Sequence, residues 1–248
     1  MRLDQAIEQR GLLPSRARAR DAVKRGTVTV NGVVATRPHQ PVAPDDVVVL
    51  DDPAARYVSR AALKLIAGLD AAGFEPFGKV ALDLGASTGG FTQVLLERGA
   101  SRVHAVDVGH DQLHATLRAD PRVVNLEGVN GRDLDAELIP DPIDLLVSDL
   151  SFVSVLKVLD APLRLCAPAA EAVILIKPQF EVGRAHVGKG GVVTDAAAIA
   201  RAVAAVAGHF EAAGWVTVTT RDSPIAGGDG NREIVAAFRR ILRDSRPG

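Results

Sequence analysis

The sequence feature that most constrains the fold is an apolar segment that leads directly into a glycine-rich turn. Residues 80–84 (VALDL) have the composition of a buried strand, and residues 85–92 (GASTGGFT) follow them without a break. Glycines at such a position let the backbone approach a ligand closely and allow a helix to begin abruptly. We therefore predict a strand–turn–helix unit that forms one side of a ligand site.

The rest of the second half of the chain alternates between predicted strands and predicted helices. The strands are residues 103–107, 143–147, 172–176, 216–219 and 234–238, and the helices are residues 89–98, 111–117, 153–165 and 196–213. This alternation predicts an α/β fold of the Rossmann-like kind, with a doubly wound, mostly parallel sheet. Ligands of such sheets bind beyond the carboxyl ends of the strands.

Features of the turn and of the next strand narrow the choice of ligand. The turn lacks both the G-x-G-x-x-G spacing of dinucleotide sites and the lysine of phosphate-binding loops. Asp107 ends the next predicted strand, where its carboxylate can hold the two hydroxyls of a ribose. These features favour S-adenosylmethionine as the cofactor. The predicted cofactor-binding residues are Asp83, Gly85, Ser87, Gly89, Gly90, Phe91, Asp107, Asn130 and Asp133.

The N-terminal segment differs from the rest of the chain in its charge. Residues 1–37 carry eight Lys and Arg side chains against three carboxylates, although the whole chain has a net charge of −1. Apolar residues at helical spacing predict two short helices, and Asn31-Gly32 predicts a hairpin turn between short strands. We therefore predict a small basic α+β domain at residues 1–51, followed by a linker at residues 52–60.

This N-terminal pattern resembles the S4 RNA-binding domain. The resemblance is carried by residues 2–4 (RLD), 11–12 (GL), 15–16 (SR), Ala19, Gly26 and residues 28–32 (VTVNG). It implies that basic side chains contact RNA phosphates, which position a protein without reading sequence. The predicted RNA-binding residues are Arg2, Arg16, Arg18, Arg20, Lys24 and Arg25.

Charged side chains stand at the ends of the later strands. Asp149 and Lys177 each follow an apolar strand, and Glu233 precedes the last one. An ammonium that closes an apolar strand would be costly to desolvate if it had no use. Lys64 lies on a helix predicted to begin near Ser59. Each charge alone is more often structural than catalytic, but beside a glycine-rich turn the four form a candidate catalytic set.

The set resembles the Lys-Asp-Lys-Glu tetrad of ribose 2′-O-methyltransferases, with Lys64, Asp149, Lys177 and Glu233 in its four positions. Nearly the whole chain is similar to the TlyA, or hemolysin A-type, family, in which an S4 domain precedes an FtsJ-like methyltransferase domain, here residues 61–248. The match is carried by residues 56–60 (RYVSR), 148–152 (SDLSF), 177–181 (KPQFE) and 188–191 (GKGG). The chain departs from the family at residues 61–62 (AA), where two glycines are frequent.

The resemblance implies S-adenosylmethionine-dependent 2′-O-methylation of cytidine riboses in ribosomal RNA, with ribosomal subunits as partners. Lys177 then activates the ribose hydroxyl, either as a base or as a fixed positive charge. Burial and the nearby Lys64 favour a neutral amine, whereas Asp149 and Glu233 favour the ammonium. The sequence leaves these two roles open.

Three other functions remain as alternatives. A hemolysin-like, membrane-active protein is suggested by the family name, but the apolar positions are already used by the predicted sheet. An RNA base methyltransferase is the second. Base N-methylation usually uses a strand-end acid followed by Pro-Pro-aromatic, which does not follow Asp149. C5 methylation needs a cysteine nucleophile, but Cys166 falls in a predicted helix, where we expect a core residue. A binding-only S4 protein with an inactive second domain is weakened by the complete tetrad.

Motifs that the sequence lacks bear on where the protein is located and on whether it binds a metal. No apolar run approaches the roughly 20 residues of a membrane helix, and residues 1–5 do not begin a secretory signal. We therefore expect a cytoplasmic protein without stable membrane insertion. His110 and His114 share a face of a predicted helix but lack the Glu of an H-E-x-x-H motif, so we expect no metal site.

Overall fold

The chain divides between Arg56 and Tyr57 into two units in the computed structural model, which describes residues 1–241. The division falls inside the predicted linker. Ala54 belongs to the first unit, where its backbone oxygen accepts a hydrogen bond from Arg18. Val58 belongs to the second, where its backbone N–H donates to the side chain of Gln93. Residues 242–248 of the predicted catalytic domain lie outside the described residues.

The first unit is a small α+β domain with its own apolar core. Ser15 begins its second helix by accepting a hydrogen bond from the backbone N–H of Arg18. The core includes Leu3, Ile7 and Val23 from the helices. The helices are α1 (Leu3–Gln9) and α2 (Arg16–Lys24), and the strands are β1 (Val28–Val30), β2 (Val33–Val34) and β3 (Val48–Leu50). The strands form an antiparallel sheet in the order β2-β1-β3.

The second unit has a seven-stranded sheet in the order β6-β5-β4-β7-β8-β10-β9. Strands β4 to β8 are parallel, and β10 pairs antiparallel with β8 and β9. The strands are β4 (Val80–Leu84), β5 (Arg102–Asp107), β6 (Val123–Glu127), β7 (Ile143–Ser148), β8 (Cys166–Ile176), β9 (Trp215–Asp222) and β10 (Ile234–Arg240). The prediction of a doubly wound, mostly parallel sheet is confirmed.

Helices cover both faces of this sheet because both faces are apolar. On one face Leu65 and Leu95 join a core with the sheet, and on the other Val206 and Phe210 do so. Phe210 also stacks on Phe238 of the sheet, with ring centroids 3.9 Å apart. The helices are α3 (Ala62–Ala72), α4 (Gly90–Glu97), α5 (Ala115–Arg118), α6 (Asp160–Leu165), α7 (Pro178–Glu181) and α8 (Ala196–Ala212).

Two predicted helices are shorter than the sequence indicated. The helix expected at residues 111–117 is reduced to α5. Asp111 adopts a left-handed conformation (φ 54°), and the backbone N–H groups of Gln112 and Leu113 donate to the side chain of Glu127. His110 therefore precedes the helix, and His114 is its N-cap. The helix expected at residues 153–165 is limited to α6, preceded by a single 3₁₀ turn.

The position of Cys166 and one strand were also predicted wrongly. Cys166 is buried, as expected, but it begins β8 and is not part of a helix. Pairing of β8 with β7 and β10 overrides the helical preference of its alanines. Strand β6, at the edge of the sheet, had not been predicted; its five residues include the polar Asn125, which interrupts an apolar pattern. Within residues 1–241, no helix is both long and apolar enough to cross a membrane.

Candidate active site

A cavity of about 570 Å³ lies at the carboxyl ends of β4, β5 and β7. This is the position at which doubly wound sheets bind their ligands. Gly85 and Ser87 line it after β4, Asp107 ends β5 beside it, and Asp149 follows β7. Its apolar lining includes Val108, Val129, Leu150, Phe152 and Val158.

The glycine-rich turn brings two strand ends close together. Gly85 has φ 84°, and a Cβ atom there would lie 3.2 Å from both the backbone oxygen of Asp149 and a methyl group of Leu150. A larger residue would be strained and would push the end of β7 away. Glycine, which has no Cβ atom, is therefore required where the turn faces Asp149.

Asp107 is held in a fixed orientation at the rim of the cavity. The backbone N–H of Ser87 donates to its Oδ2 atom and that of Gly109 to its Oδ1 atom, both at 2.8 Å. Each carboxylate oxygen keeps a further lone pair for a ligand. This geometry suits a carboxylate that accepts hydrogen bonds from two neighbouring hydroxyl groups.

The other predicted cofactor residues divide between the cavity and the structure behind it. Asn130 lines the cavity, whereas Asp133 is exposed and outside the lining, and Arg132 lines the cavity beside Asn130. Phe91 belongs to the apolar core on the α3 and α4 face. Gly89 and Gly90, at the beginning of α4, are also outside the lining.

Asp83 supports the turn from behind. It is fully buried, and the hydroxyl of Thr92 donates to its Oδ2 atom at 2.7 Å. Burial raises the pKa of Asp83 to about 7, with a smaller contribution from the negative charge of Asp149. The hydrogen bond from Thr92 opposes this increase. Asp83 thus joins β4 to α4 beneath the ligand site.

The structure brings the four predicted catalytic side chains together. Lys64 Nζ lies 2.5 Å from Glu233 Oε2 and 4.0 Å from Asp149 Oδ2. Lys177 Nζ lies 2.7 Å from Asp149 Oδ1. Lys64, Lys177 and Glu233 are only 6%, 7% and 3% exposed. Two lysine side chains and two acidic side chains therefore alternate in one nearly buried cluster.

The order of the strands explains how residues so far apart in sequence meet. Asp149, Lys177 and Glu233 stand at the same edge of three adjacent strands, β7, β8 and β10. Lys64 reaches them from α3, which packs very closely on the sheet at Gly68. A Cβ atom at Gly68 would lie within 2.7 Å of side chains of Val173 and Val235, in β8 and β10.

Two residues of the site had not been predicted from the sequence. Ser151 Oγ accepts a hydrogen bond of 2.6 Å from Lys177, whose contact with Asp149 is an ion pair without hydrogen-bond geometry. Phe152 is 92% exposed at φ 68°, with its ring centroid 5.6 Å from that of Phe180. A phenylalanine directly after Asp149-Leu150-Ser151, in a segment that carries the family resemblance, was the sequence signal for it.

The thiol of Cys166 takes no part in this site. It donates to the backbone oxygen of Pro162 at 3.4 Å, and burial raises its pKa to about 12. A thiol in this state is a poor nucleophile because the thiolate is the reactive form.

The six predicted RNA-binding residues are arranged in three ways in the first unit. Arg2, Arg16 and Arg20 pair with Asp4, whereas Lys24 is exposed on α2. The other two bind within their own unit. Arg18 donates to the backbone oxygens of Ala54 and Ala55 at 2.8 and 3.3 Å, and Arg25 pairs with Asp21 and with Asp52.

Comparison with known families defines the class of the protein. A model of the S4 domain matches residues 1–48, and a model of the FtsJ-like methyltransferases matches residues 57–240. The fold and the cavity thus define an S-adenosylmethionine-dependent methyltransferase of the FtsJ-like kind, joined to an S4 RNA-binding domain.

Similar proteins define the family more narrowly. The chain is 45% identical to the 16S/23S rRNA (cytidine-2′-O)-methyltransferase TlyA of Mycobacterium tuberculosis, over 96% of this chain and 89% of the relative. It is 39% identical to Hemolysin A of Brachyspira hyodysenteriae, over 96% and 99%. A structure described as a hemolysin from Streptococcus thermophilus aligns with TM-score 0.76 and 33% identity, over 97% and 88%. The chain belongs to the TlyA, or hemolysin A-type, family, as its motifs predicted.

The residues of the cavity fit the methyl donor of this class. Asp107 would offer fixed acceptors for ribose hydroxyls, and Val108 and Val129 would give apolar surface for a purine ring. Asp149 would supply negative charge for the sulfonium. Fixed acceptors, apolar surface and negative charge suit S-adenosylmethionine.

Proposed function

We propose that this protein methylates the 2′-hydroxyl of a cytidine ribose in ribosomal RNA. The observation that carries the proposal is the buried cluster of Lys64, Asp149, Lys177 and Glu233 beside the cofactor cavity. The M. tuberculosis relative, named for this reaction, supports the choice of cytidine and of ribosomal RNA. We infer further that the RNA is met in ribosomal subunits and that the protein works in the cytoplasm.

Methyl transfer to a ribose requires an oxygen nucleophile whose proton is removed or held away. The cofactor supplies the methyl group on a positively charged sulfur. Lys177 is the group that handles the hydroxyl proton, because its nitrogen stands beside Asp149 at the cavity. The 2′-oxygen would bond to the methyl carbon as the bond from that carbon to sulfur breaks, with its electron pair left on a neutral thioether. The hydroxyl proton passes to the neutral amine of Lys177 and from there to solvent.

The other three charges set the state and the direction of Lys177. Glu233 neutralises Lys64 at 2.5 Å, which leaves Asp149 as the counter-ion of Lys177. The hydrogen bond to Ser151 fixes one N–H of the amine. With two of its directions occupied by Asp149 and Ser151, the nitrogen has a defined direction left for a substrate hydroxyl.

Phe152 is suited to hold the target nucleotide. A bulky residue at positive φ is a strained conformation, which persists mainly where function requires it. Its exposed ring provides a surface on which a nucleobase can stack, and Phe180 supports the ring from the side. Because Phe152 follows Ser151 directly, a base stacked on it would place its ribose near Lys177.

The product of the reaction tests this proposal. Ribosomal RNA and intact subunits are incubated with S-adenosylmethionine that carries a labelled methyl group, and the RNA is digested to nucleosides. The proposal predicts label in 2′-O-methylcytidine. Label in a base-methylated nucleoside would favour the base methyltransferase instead. The absence of incorporation, together with lysis of lipid vesicles, would favour the hemolysin-like alternative.

A further inference from the structure

Three arginines of the first unit converge on one carboxylate. Asp4 lies in α1 and has no exposed surface. Arg2 Nε is 3.1 Å from its Oδ1 atom, and Arg20 Nε is 3.0 Å from its Oδ2 atom. Arg16 Nη2 is 3.5 Å from the same Oδ2 atom. Since all three guanidinium groups approach one carboxylate this closely, they also lie close to one another.

The cluster has an excess of positive charge at the surface. Burial alone would raise the pKa of Asp4, but hydrogen bonds from Arg20 and Arg2 outweigh it and lower the pKa. One ionised carboxylate therefore balances only one of three cations. The side chains of Arg2, Arg16 and Arg20 are 47%, 37% and 50% exposed.

The donors that remain on these arginines suit a tetrahedral anion. Each guanidinium has five N–H donors in a planar fork, and Asp4 engages only one or two nitrogen atoms of each. A phosphodiester offers two charged oxygens, which guanidinium forks bind in pairs. Arg18 and Arg25 do not join this arrangement, because they bind residues 52–55.

We propose that Asp4 is a positioning residue that gathers Arg2, Arg16 and Arg20 into one binding site for a single phosphodiester of folded RNA. The carboxylate is not a ligand of the RNA; it is a buried counter-ion that keeps three mutually repelling cations together. This inference rests on the proposed action on RNA. It adds the position at which the protein binds one backbone phosphate.

The direction in which one substitution changes RNA affinity distinguishes this proposal from attraction between total charges. Asp4→Asn removes a negative charge, so the net charge of the unit becomes more positive. Attraction between total charges predicts tighter RNA binding. Loss of the shared counter-ion predicts weaker binding, because the arginines no longer present their donors at one point.

The experiment measures the affinity of the full chain for a 23S rRNA transcript over a range of salt concentrations. We expect Asp4→Asn to bind about tenfold more weakly and the salt slope to fall by about one unit, as for the loss of one phosphate contact. Asp45→Asn is the matched control, because Asp45 is exposed on the same unit and the charge change is identical. This control should bind as tightly as wild type or slightly more tightly.

A second variant covers the case in which Asp4→Asn unfolds the unit. Arg20→Lys keeps the net charge but loses the Nε atom that contacts Asp4. It should also weaken binding, whereas unchanged affinity in Arg20→Lys, or equal or tighter binding by folded Asp4→Asn, would overturn the inference. If wild type itself does not bind the RNA, the proposed function fails and not merely the role of Asp4.

Discussion

The two units each contain a cluster of cations and carboxylates, and the clusters differ in burial and in balance. Around Asp4, three arginines share one carboxylate at a half-exposed surface. Around Asp149, two lysines alternate with two carboxylates in a nearly buried site. An unbalanced exposed cluster keeps donors free for a polyanion, whereas a balanced buried cluster fixes the direction of a single amine.

The identity of the cations follows the same division. Arginine stays charged at any pH that a folded protein tolerates and binds phosphate oxygens in pairs. Lysine can lose its proton, which makes it the cation suited to proton transfer. In the proposed function, the arginines of the first unit dock the substrate and the lysines of the second unit act on it.

The largest effect is expected at Lys177. Lys177→Arg keeps a positive charge at the site but removes an amine that can be deprotonated. If Lys177 acts as a base, single-turnover methyl transfer should fall by about 10²–10⁴-fold. Cofactor affinity measured by calorimetry should change little. Retention of the wild-type rate by this variant would instead identify Lys177 as a fixed charge.

A large loss of stability is expected when the buried cluster is unbalanced. Glu233→Gln leaves Lys64 without its nearest counter-ion and should lower the free energy of unfolding by about 3–5 kcal/mol. Asp222→Asn, which breaks an exposed pair with Arg232, should cost at most about 1 kcal/mol. The fluorescence of Trp215, the single tryptophan, reports unfolding of this unit. Equal losses in the two variants would remove the contrast between buried and exposed pairs.

A smaller effect on rate is expected at Ser151. Ser151→Ala removes the hydrogen bond that directs Lys177 and should lower kcat about tenfold while KM for RNA is unchanged. Ser151→Thr restores a hydroxyl and should recover much of the rate. Ser101→Ala, which removes a hydroxyl bonded only to the backbone of Lys79, is the control. A fall in RNA affinity without a fall in kcat would count against the positioning role.

The smallest effect concerns the pH dependence of stability. The folded pKa of Asp83 is raised to about 7 from 3.8, so its contribution is fully present below 3.8 and is lost as pH rises through 7. Asp83→Asn cannot ionise but can still accept the hydrogen bond from Thr92. Between pH 5 and pH 8 the melting temperature of wild type should therefore fall by a few degrees more than that of Asp83→Asn. Parallel pH profiles would show that Asp83 does not titrate there.

The sequence predicted the main sheet because buried parallel strands are short apolar runs with distinctive ends. For the same reason Asp149 and Lys177 could be placed at one edge of the sheet, since residues that follow parallel strands meet there. Cys166 was misplaced because the boundary between a helix and the strand that follows it depends on the partners of that strand. The length of a strand and the presence of an edge strand depend on such partners and cannot be predicted from local composition.

The partners of individual side chains could not be predicted from the sequence either. The basic residues of α2 looked alike, yet Arg20 pairs with Asp4 while Arg18 binds the backbone of Ala54. Only the three-dimensional arrangement divides them into a group that shares Asp4 and a group that binds residues 52–55. Ser151 was likewise invisible as a partner of Lys177, because a hydroxyl gains this role from a contact of 2.6 Å across 26 residues of sequence.

The most direct test of the central claim is an alkaline hydrolysis ladder of RNA treated with wild type or with Lys177→Ala. Alkali cleaves RNA through a free 2′-hydroxyl, so a 2′-O-methyl group leaves a gap at one position. We expect a gap at a cytidine after treatment with wild type and a continuous ladder after treatment with Lys177→Ala, with RNA binding unchanged. A continuous ladder from RNA that wild type has labelled, or a gap that persists with Lys177→Ala, would contradict the claim.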